Sequence, residues 1–198
     1  MSMNTPNKLT VARMIATPIF MAVMLIEAIP YRYIISLILF AAASLTDMID
    51  GKMARKYNLV TDFGKFLDPL ADKMLTTSAY LGFIFVYRGT AYAWHMVAIV
   101  FIVLFREFMV SSLRLVTVSS GGKVVAANMW GKAKTVSQML GIVVALFGYT
   151  LIGDFGLEAI KGVFDVLIVA LFWLSAVLCV ISGMIYLAAC KDYIDPSK

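Results

Sequence analysis

The sequence is poor in charge. Asp, Glu, Lys and Arg make up only 15% of its 198 residues, whereas 62% are hydrophobic and the mean hydropathy is +0.89. Soluble domains carry roughly 25% charged and about 45–50% apolar residues. A soluble core of this length could not bury so much apolar surface. The composition excludes a soluble globular fold and predicts one membrane domain over 1–198, without a second, soluble one.

Cysteine and histidine are also scarce. The two cysteines, Cys179 and Cys190, lie in an apolar run and near the C-terminus, and they predict neither a disulfide framework nor a zinc site. The single histidine, His95, is expected at the external end of the fourth helix, away from the acidic residues described below. Phosphohistidine and thiol chemistry are therefore disfavoured.

Long apolar stretches dominate the chain, and a membrane-spanning helix needs about 20 such residues. We predict an all-α fold of six transmembrane helices, at roughly 10–28, 31–53, 64–87, 92–117, 131–152 and 163–189. A short N-terminal segment (1–9) precedes this bundle (10–189), and a tail (190–198) follows it. No small-residue cleavage site follows the first stretch, so we expect a retained helix rather than a signal peptide.

The basic residues predict the orientation of the bundle. With both termini on one side of the membrane, the opposite side keeps only Arg32, Arg88 and Lys161. Thirteen of the other lysines and arginines then fall on the same side as the termini, and Arg106 lies within a helix. Loops rich in Lys and Arg stay in the cytoplasm, so both termini are expected there. The formal net charge of the chain is +5, and its Lys and Arg residues lie beside apolar segments. This arrangement indicates binding to anionic lipid head groups rather than to a nucleic acid.

Aspartates recur at helical spacing on two neighbouring helices. Asp47 and Asp50 share one face of the second predicted helix, and Asp68 and Asp72 share one face of the third. The same faces hold small residues, namely Gly51, Ala54 and Gly64. A short polar loop joins the two helices at the cytoplasmic boundary. Both faces can therefore point inward and bring four carboxylates into one cluster.

The negative charge of four neighbouring carboxylates must be compensated, because like charges repel and placing ionisable groups near lipid costs free energy. Oxygen ligands alone favour Mg²⁺ or Mn²⁺ over zinc. Arg55 offers a permanently charged partner for phosphate, and the small residues leave room for a nucleotide or a neighbouring backbone. The pattern predicts a site for a pyrophosphate-containing substrate with two metal ions about 3.5–4 Å apart.

The stretch from Asp47 to Asp72 resembles the signature of the CDP-alcohol phosphotransferases, D-x2-D-G-x2-A-R-x8-G-x3-D-x3-D, at every specified position. Members of that family move a phosphoalcohol unit onto an alcohol and release CMP. The resemblance implies six transmembrane helices, a site open to the cytoplasm and a homodimer. It also implies that the four aspartates hold the metals, with Asp72 as general base. The implied contacts to the CDP portion are Asp47, Gly51, Ala54, Arg55 and Gly64.

Other segments resemble the branch of this family that forms phosphatidylglycerophosphate. They are residues 6–10 with Arg13, 106–108, 111–114, 130–132, 134–135 and Gln138. The substrates implied are CDP-diacylglycerol and sn-glycerol 3-phosphate. Because this acceptor carries a phosphate, further cations and hydrogen-bond donors are expected around it. The candidates are Thr10, Arg13, Arg114, Lys132, Lys134, Thr135 and Gln138.

Two neighbours on the fourth helix, Arg106 and Glu107, are charged residues in an apolar stretch. Adjacent residues do not face each other on a helix, so each is expected to pair with a residue elsewhere. Structural pairing is the favoured role for both, and acceptor binding by Arg106 is the alternative.

Two alternatives stay open. The same chemistry could use another acceptor, such as inositol phosphate, serine or phosphatidylglycerol. A small cation transporter is the second alternative, but it predicts acidic residues near the membrane midplane and symmetry-related repeats. The aspartates lie at one boundary, no repeat is evident, and Arg55 would repel cations.

Overall fold

The chain forms a bundle of helices. The computed structural model describes the backbone of residues 4–57, 61–119 and 129–191, and the side chains there except those of 50–52, 54–56, 62, 65 and 119. Within these residues there are six α-helices and no strand, which confirms the all-α prediction. The helices are α1 (Thr5–Leu25), α2 (Arg32–Lys56), α3 (Asp62–Val86), α4 (Tyr92–Ser119), α5 (Met129–Tyr149) and α6 (Lys161–Cys190). A π-helical turn, Thr150–Asp154, extends α5, and a 3₁₀ turn, Glu158–Ile160, leads into α6.

Several helices are suited to cross a membrane. In the described part of the chain, α1, α4 and α6 are long and apolar enough, as are residues 32–49 of α2 and α5 together with its π turn. These five make the chain a multi-pass membrane protein. The first half of α3 contains Asp68, Asp72 and Lys73, and α3 is not among the candidates. The sixth span, expected over 64–87, stays a prediction.

The helix ends follow from local chemistry. The first helix begins at Thr5, before the expected residue 10, because the Asn4 side chain accepts a hydrogen bond from the Asn7 backbone N–H and Pro6 is tolerated in a first turn. The turn between α3 and α4 contains Gly89 at a φ of +75°, where a side chain would be strained. The connection predicted between the fourth and fifth helices contains Gly121 and Gly122, which lie outside the described residues.

The bundle packs in two groups around an aromatic core. In the described residues, α1 packs against α2 and α3 in one group, and α6 packs against α4 and α5 in the other. Contacts between α2 and α5 connect the two groups. The ring of Phe172 lies 4.9 Å from that of Tyr80 and 5.5 Å from that of Phe83, measured between centroids. The Tyr80 hydroxyl is 2.9 Å from Ser175 Oγ, so this buried phenol has a partner.

The two ends of the bundle differ in chemistry. At one end, the Asp154 carboxylate accepts hydrogen bonds from the backbone N–H groups of Ile34 (2.8 Å) and Tyr33 (3.4 Å), and so caps α2. At the other end lie the acidic residues of α2 and α3 and both ends of the described chain. Large apolar side chains such as Phe101 and Val163 cover the outside, as expected of a surface that faces lipid.

Candidate active site

The first helix holds the carboxylates of α2 and α3. Thr10 Oγ1 donates a hydrogen bond of 2.7 Å to Oδ1 of Asp68, from a threonine that is 1% exposed. One turn further along α1, the Arg13 guanidinium forms an ion pair with Asp47, and its side chain is fully buried. A buried guanidinium requires such a partner. Because Thr10 and Arg13 are three residues apart on one face, α1 orients an aspartate from each acidic helix.

A third contact of α1 shapes the start of α3. Asn7 Nδ2 donates to Thr61 Oγ1 at 3.0 Å, and the same hydroxyl accepts the backbone N–H of Gly64 at 3.0 Å. A Cβ atom on Gly64 would lie 2.9 Å from Oδ1 of Asn7. The sequence indicated that Gly64 leaves room for a nucleotide or a neighbouring chain. In the structure the close neighbour is Asn7, and the nucleotide contact stays a prediction.

A cavity of about 520 Å³ opens between α3, α4 and α5 beside these carboxylates. One part of its lining is apolar and includes Phe66, Leu70, Met74, Val103 and Phe108. The polar part includes Asp72, Lys73, Glu107, Ser111, Lys134, Thr135 and Gln138, together with Thr76, Thr77 and Ser78. A cavity with a mainly apolar wall and a few convergent polar groups is the usual form of a small-molecule site.

Electrostatic interactions link the cavity to the carboxylate cluster. The charge of Asp72 interacts with those of Asp47 and Glu107, which are negative, and with those of Lys134 and Arg13, which are positive. Asp72 is thus the residue that belongs both to the aspartate motif and to the cavity wall. A group bound in the cavity would meet both carboxylates, those of Asp72 and Glu107, and ammonium groups, those of Lys73 and Lys134.

Glu107 lines this cavity and is the common partner of three basic residues. Its carboxylate forms an ion pair with Lys134 and accepts a hydrogen bond of 3.1 Å from Nη1 of Arg106, and Lys73 Nζ lies 3.6 Å from Oε2. Arg106 also donates to Ser182 Oγ at 2.8 Å. The expectation that Arg106 and Glu107 pair with other elements is confirmed. The two neighbours also contact each other, because a long guanidinium reaches around the helix.

The predicted acceptor residues separate into groups. Lys134, Thr135 and Gln138 line the cavity, and two of them, Lys134 and Gln138, are buried. Thr10 and Arg13 contact Asp68 and Asp47 as described, whereas Arg114 and Lys132 lie at exposed helix positions. A role in acceptor binding stays a prediction for all seven. The side chains of Asp50, Gly51, Ala54 and Arg55 lie outside the described residues.

Sequence reasoning missed three groups that the structure brings to the site: Asn7, Lys73 and Ser111. Lys73 Nζ donates to Ser111 Oγ at 2.6 Å on the cavity wall. Lys73 follows Asp72 directly and was expected only to add to the positive charge at the boundary. The available signal was its place directly beside Asp72, a residue of the predicted metal motif.

The donor set fits a hard divalent cation. Asp47, Asp68 and Asp72 supply carboxylate oxygens, and neither His95 nor a cysteine lies among them. In the described residues no group of three or more metal-ligating side chains is close enough to hold an ion, and the fourth aspartate, Asp50, has no described side chain. The hydrogen bond from Thr10 to Asp68 is the outer-shell support that a ligating carboxylate usually receives.

Comparisons with known proteins agree with this chemistry. The family model described as CDP-alcohol phosphatidyltransferase matches residues 3–181. A Bacillus subtilis (strain 168) protein is 47% identical over 150 residues, covering 70% of this chain and 74% of its own. A Rickettsia bellii protein is 36% identical over 96% of this chain and 97% of its own, and a Salmonella paratyphi A protein is 31% identical over 98% and 100%. Each is named CDP-diacylglycerol–glycerol-3-phosphate 3-phosphatidyltransferase.

Proposed function

The chain belongs to the CDP-alcohol phosphatidyltransferase family, and we propose that it transfers the phosphatidyl group of CDP-diacylglycerol to sn-glycerol 3-phosphate. The products are phosphatidylglycerophosphate and CMP, and the reaction serves anionic phospholipid synthesis. The printed names of the relatives support this reaction. One observation in the molecule carries it: the cavity that joins Asp72 to Lys134 offers a carboxylate for a hydroxyl and an ammonium group for a phosphate.

Asp72 is the proposed general base. It lines the cavity, where it would accept the proton of the acceptor hydroxyl as that oxygen attacks the phosphorus bearing the lipid. A bond forms between the acceptor oxygen and this phosphorus. The bond from the same phosphorus to the bridging oxygen of the pyrophosphate breaks, and CMP leaves with that oxygen and its electron pair.

Four aspartates are proposed to hold Mg²⁺ or Mn²⁺, as two ions: Asp47, Asp50, Asp68 and Asp72. The metal would neutralise the pyrophosphate and the charge that develops on departing CMP. The chain's own contribution is to orient the carboxylates. Thr10 donates a hydrogen bond to Asp68, and Arg13 forms an ion pair with Asp47. These two buried side chains fix the positions of the carboxylates that would bind the metal.

The two substrates are proposed to occupy different parts of the site. The CDP portion is assigned to Asp47 and Gly64 together with Gly51, Ala54 and Arg55. The acceptor phosphate is assigned to Lys134, Thr135 and Gln138, which share the cavity with Asp72. Arg114 and Lys132 would add positive charge at the entrance. Thr10 and Arg13 remain candidates for the acceptor, although their observed contacts are with aspartates.

We further propose that the protein lies in the bacterial cell membrane with its active site facing the cytoplasm. The distribution of Lys and Arg supports this orientation. Assembly as a homodimer is also proposed, on the resemblance to the family alone.

The decisive experiment is an acceptor panel. Protein purified in detergent is given CDP-diacylglycerol and Mg²⁺ with glycerol 3-phosphate, inositol 1-phosphate, serine or phosphatidylglycerol, and CMP release is followed. We expect turnover with glycerol 3-phosphate alone, lost in Asp68→Asn and on addition of a chelator. Turnover only with another acceptor would overturn the acceptor assignment, and no CMP from any of them would overturn the enzyme itself.

A further inference from the structure

Glu107 occupies an unusual position for a carboxylate. It lies within α4, in a stretch that is otherwise apolar enough to span the membrane, and its side chain is only 15% exposed. It lines the same cavity as Asp72 but belongs to no aspartate motif. An intramembrane acid indicates a function unless a purely structural partner explains it. Glu107 faces three basic residues, whereas a single one would suffice to pair with a buried carboxylate.

The two carboxylate oxygens of Glu107 hold different cations. Lys134 of α5 is bound at Oε1, and Lys73 of α3 lies 3.6 Å from Oε2. Both lysines line the cavity. One carboxylate therefore connects the three helices that form the cavity and keeps two ammonium groups at separate points on its wall. Lys73 is fixed further by its 2.6 Å hydrogen bond to Ser111 Oγ.

Arg106, the third cation on Glu107, has a different role. It points to α6, where it donates to Ser182, and its Cγ would lie 3.1 Å from a Cβ atom on Gly183. It is not part of the cavity lining. Arg106 therefore contacts the carboxylate from the side of α6, and in the described lining of the cavity the basic residues are the two lysines.

The charges favour a phosphate as that ligand. On this part of the lining Lys73 and Lys134 share one carboxylate, that of Glu107, so the three side chains together keep positive charge, and Asp72 is the other acidic residue of the described lining. A phosphate monoester carries about −1.5 to −2 charges at pH 7. A lysine that is already held in place loses less side-chain entropy on binding than a free one. Lys134 is only 7% exposed, and burial of its ammonium group without a carboxylate partner would be costly.

We infer that Glu107 is a positioning residue for acceptor binding, which holds Lys134 and Lys73 on the cavity wall to receive the phosphate of glycerol 3-phosphate. The inference rests on the proposed function and assigns part of its substrate specificity. Glu107 does not touch the reacting atoms. It acts through the two lysines, and it places the acceptor phosphate in the cavity that Asp72 also lines.

The test separates acceptor binding from stability. Glu107→Gln keeps the shape of the side chain but removes its charge, whereas Glu107→Asp keeps the charge on a shorter side chain. Asp165→Asn is the matched control, because Asp165 is a buried carboxylate that pairs with Lys161 at 2.7 Å and accepts from the Tyr149 hydroxyl at 2.9 Å, at the opposite end of the bundle. Each full-length variant is assayed in detergent for kcat, both KM values and the thermal unfolding midpoint.

We expect Glu107→Gln to raise KM for glycerol 3-phosphate by on the order of tenfold, the factor in affinity that corresponds to losing about one hydrogen bond to a charged group. The KM for CDP-diacylglycerol should change less than twofold. Glu107→Asp should restore much of the acceptor affinity. Asp165→Asn should lower the unfolding midpoint and leave both KM values unchanged.

A lower midpoint or kcat in Glu107→Gln with an unchanged acceptor KM would overturn the inference and leave a structural role. If Glu107→Gln does not fold, Lys134→Gln decides, because it removes one of the two cations that Glu107 holds while Arg106 and Lys73 still face the carboxylate. An acceptor KM equal to that of the unsubstituted protein would then overturn the inference. Failure of the proposed function has a different signature, because the unsubstituted protein would then release no CMP with glycerol 3-phosphate.

Discussion

The hydrogen bond from Thr10 to Asp68 gives the sharpest prediction about the metal site. Thr10→Val replaces the hydroxyl by a methyl group of similar size in a position that is 1% exposed. The lost bond is 2.7 Å long and ends on a carboxylate. Hydrogen bonds to charged groups contribute about 1.5–3 kcal/mol, and each 1.4 kcal/mol is a factor of ten in affinity. The concentration of Mg²⁺ needed for half-maximal activity should therefore rise roughly tenfold or more.

The assay is CMP release as a function of Mg²⁺ at saturating concentrations of both substrates. Thr17→Val is the matched control, because Thr17 is equally buried on α1 and its hydroxyl donates only to the Arg13 carbonyl in the described structure, at 2.9 Å. It should leave the Mg²⁺ dependence unchanged. Thr10→Ser should behave like the unsubstituted protein, since it keeps the donor.

Two results would refute this reasoning. An equal shift in Thr17→Val would show that any change in α1 disturbs the site. A higher KM for glycerol 3-phosphate in Thr10→Val, with unchanged Mg²⁺ dependence, would show that Thr10 serves the acceptor, as the sequence alone had indicated.

Two further substitutions test the fold around the site. Gly64→Ala would place a Cβ atom 2.9 Å from Asn7 Oδ1 and should lower the free energy of unfolding by about 1–3 kcal/mol in denaturant titrations. Adding Asn7→Ala should recover part of this loss, and an identical loss in both backgrounds would contradict the contact. Asp154→Ala removes the cap of α2 and should cost about 0.5–2 kcal/mol. Both KM values should stay unchanged, because Asp154 lies at the opposite end of the bundle, and a change in either would contradict that placement.

The helices and the acidic motif could be predicted because both depend on local patterns. Apolar length alone predicted the helices, and five of them are long and apolar enough to cross a membrane in the described residues, with ends that differ from the prediction by a few residues. The exception is α3, whose polar first half makes its apolar length insufficient. Spacing along a helix placed Asp68 and Asp72 on one face without any knowledge of packing.

Partners across the bundle could not be predicted in the same way. Thr10 and Asp68 are 58 positions apart, and Lys134 and Glu107 are 27 apart. Which side chains meet over such distances depends on how far each helix is rotated and displaced along its axis, and a basic residue at a helix end looks the same in the sequence whether it binds a substrate or a carboxylate. Arg13 was expected at the acceptor phosphate, and the structure pairs it with Asp47.

By itself, the sequence determined that this is a membrane protein with its acidic residues at one end of two adjacent helices, because hydrophobicity and helical periodicity are properties of single segments. Only the tertiary structure decided that α1 orients Asp47 and Asp68 and that Glu107 organises two lysines from other helices. The physical reason is that a buried charge must find its partner in space, and packing of the helices alone determines which partner lies within reach.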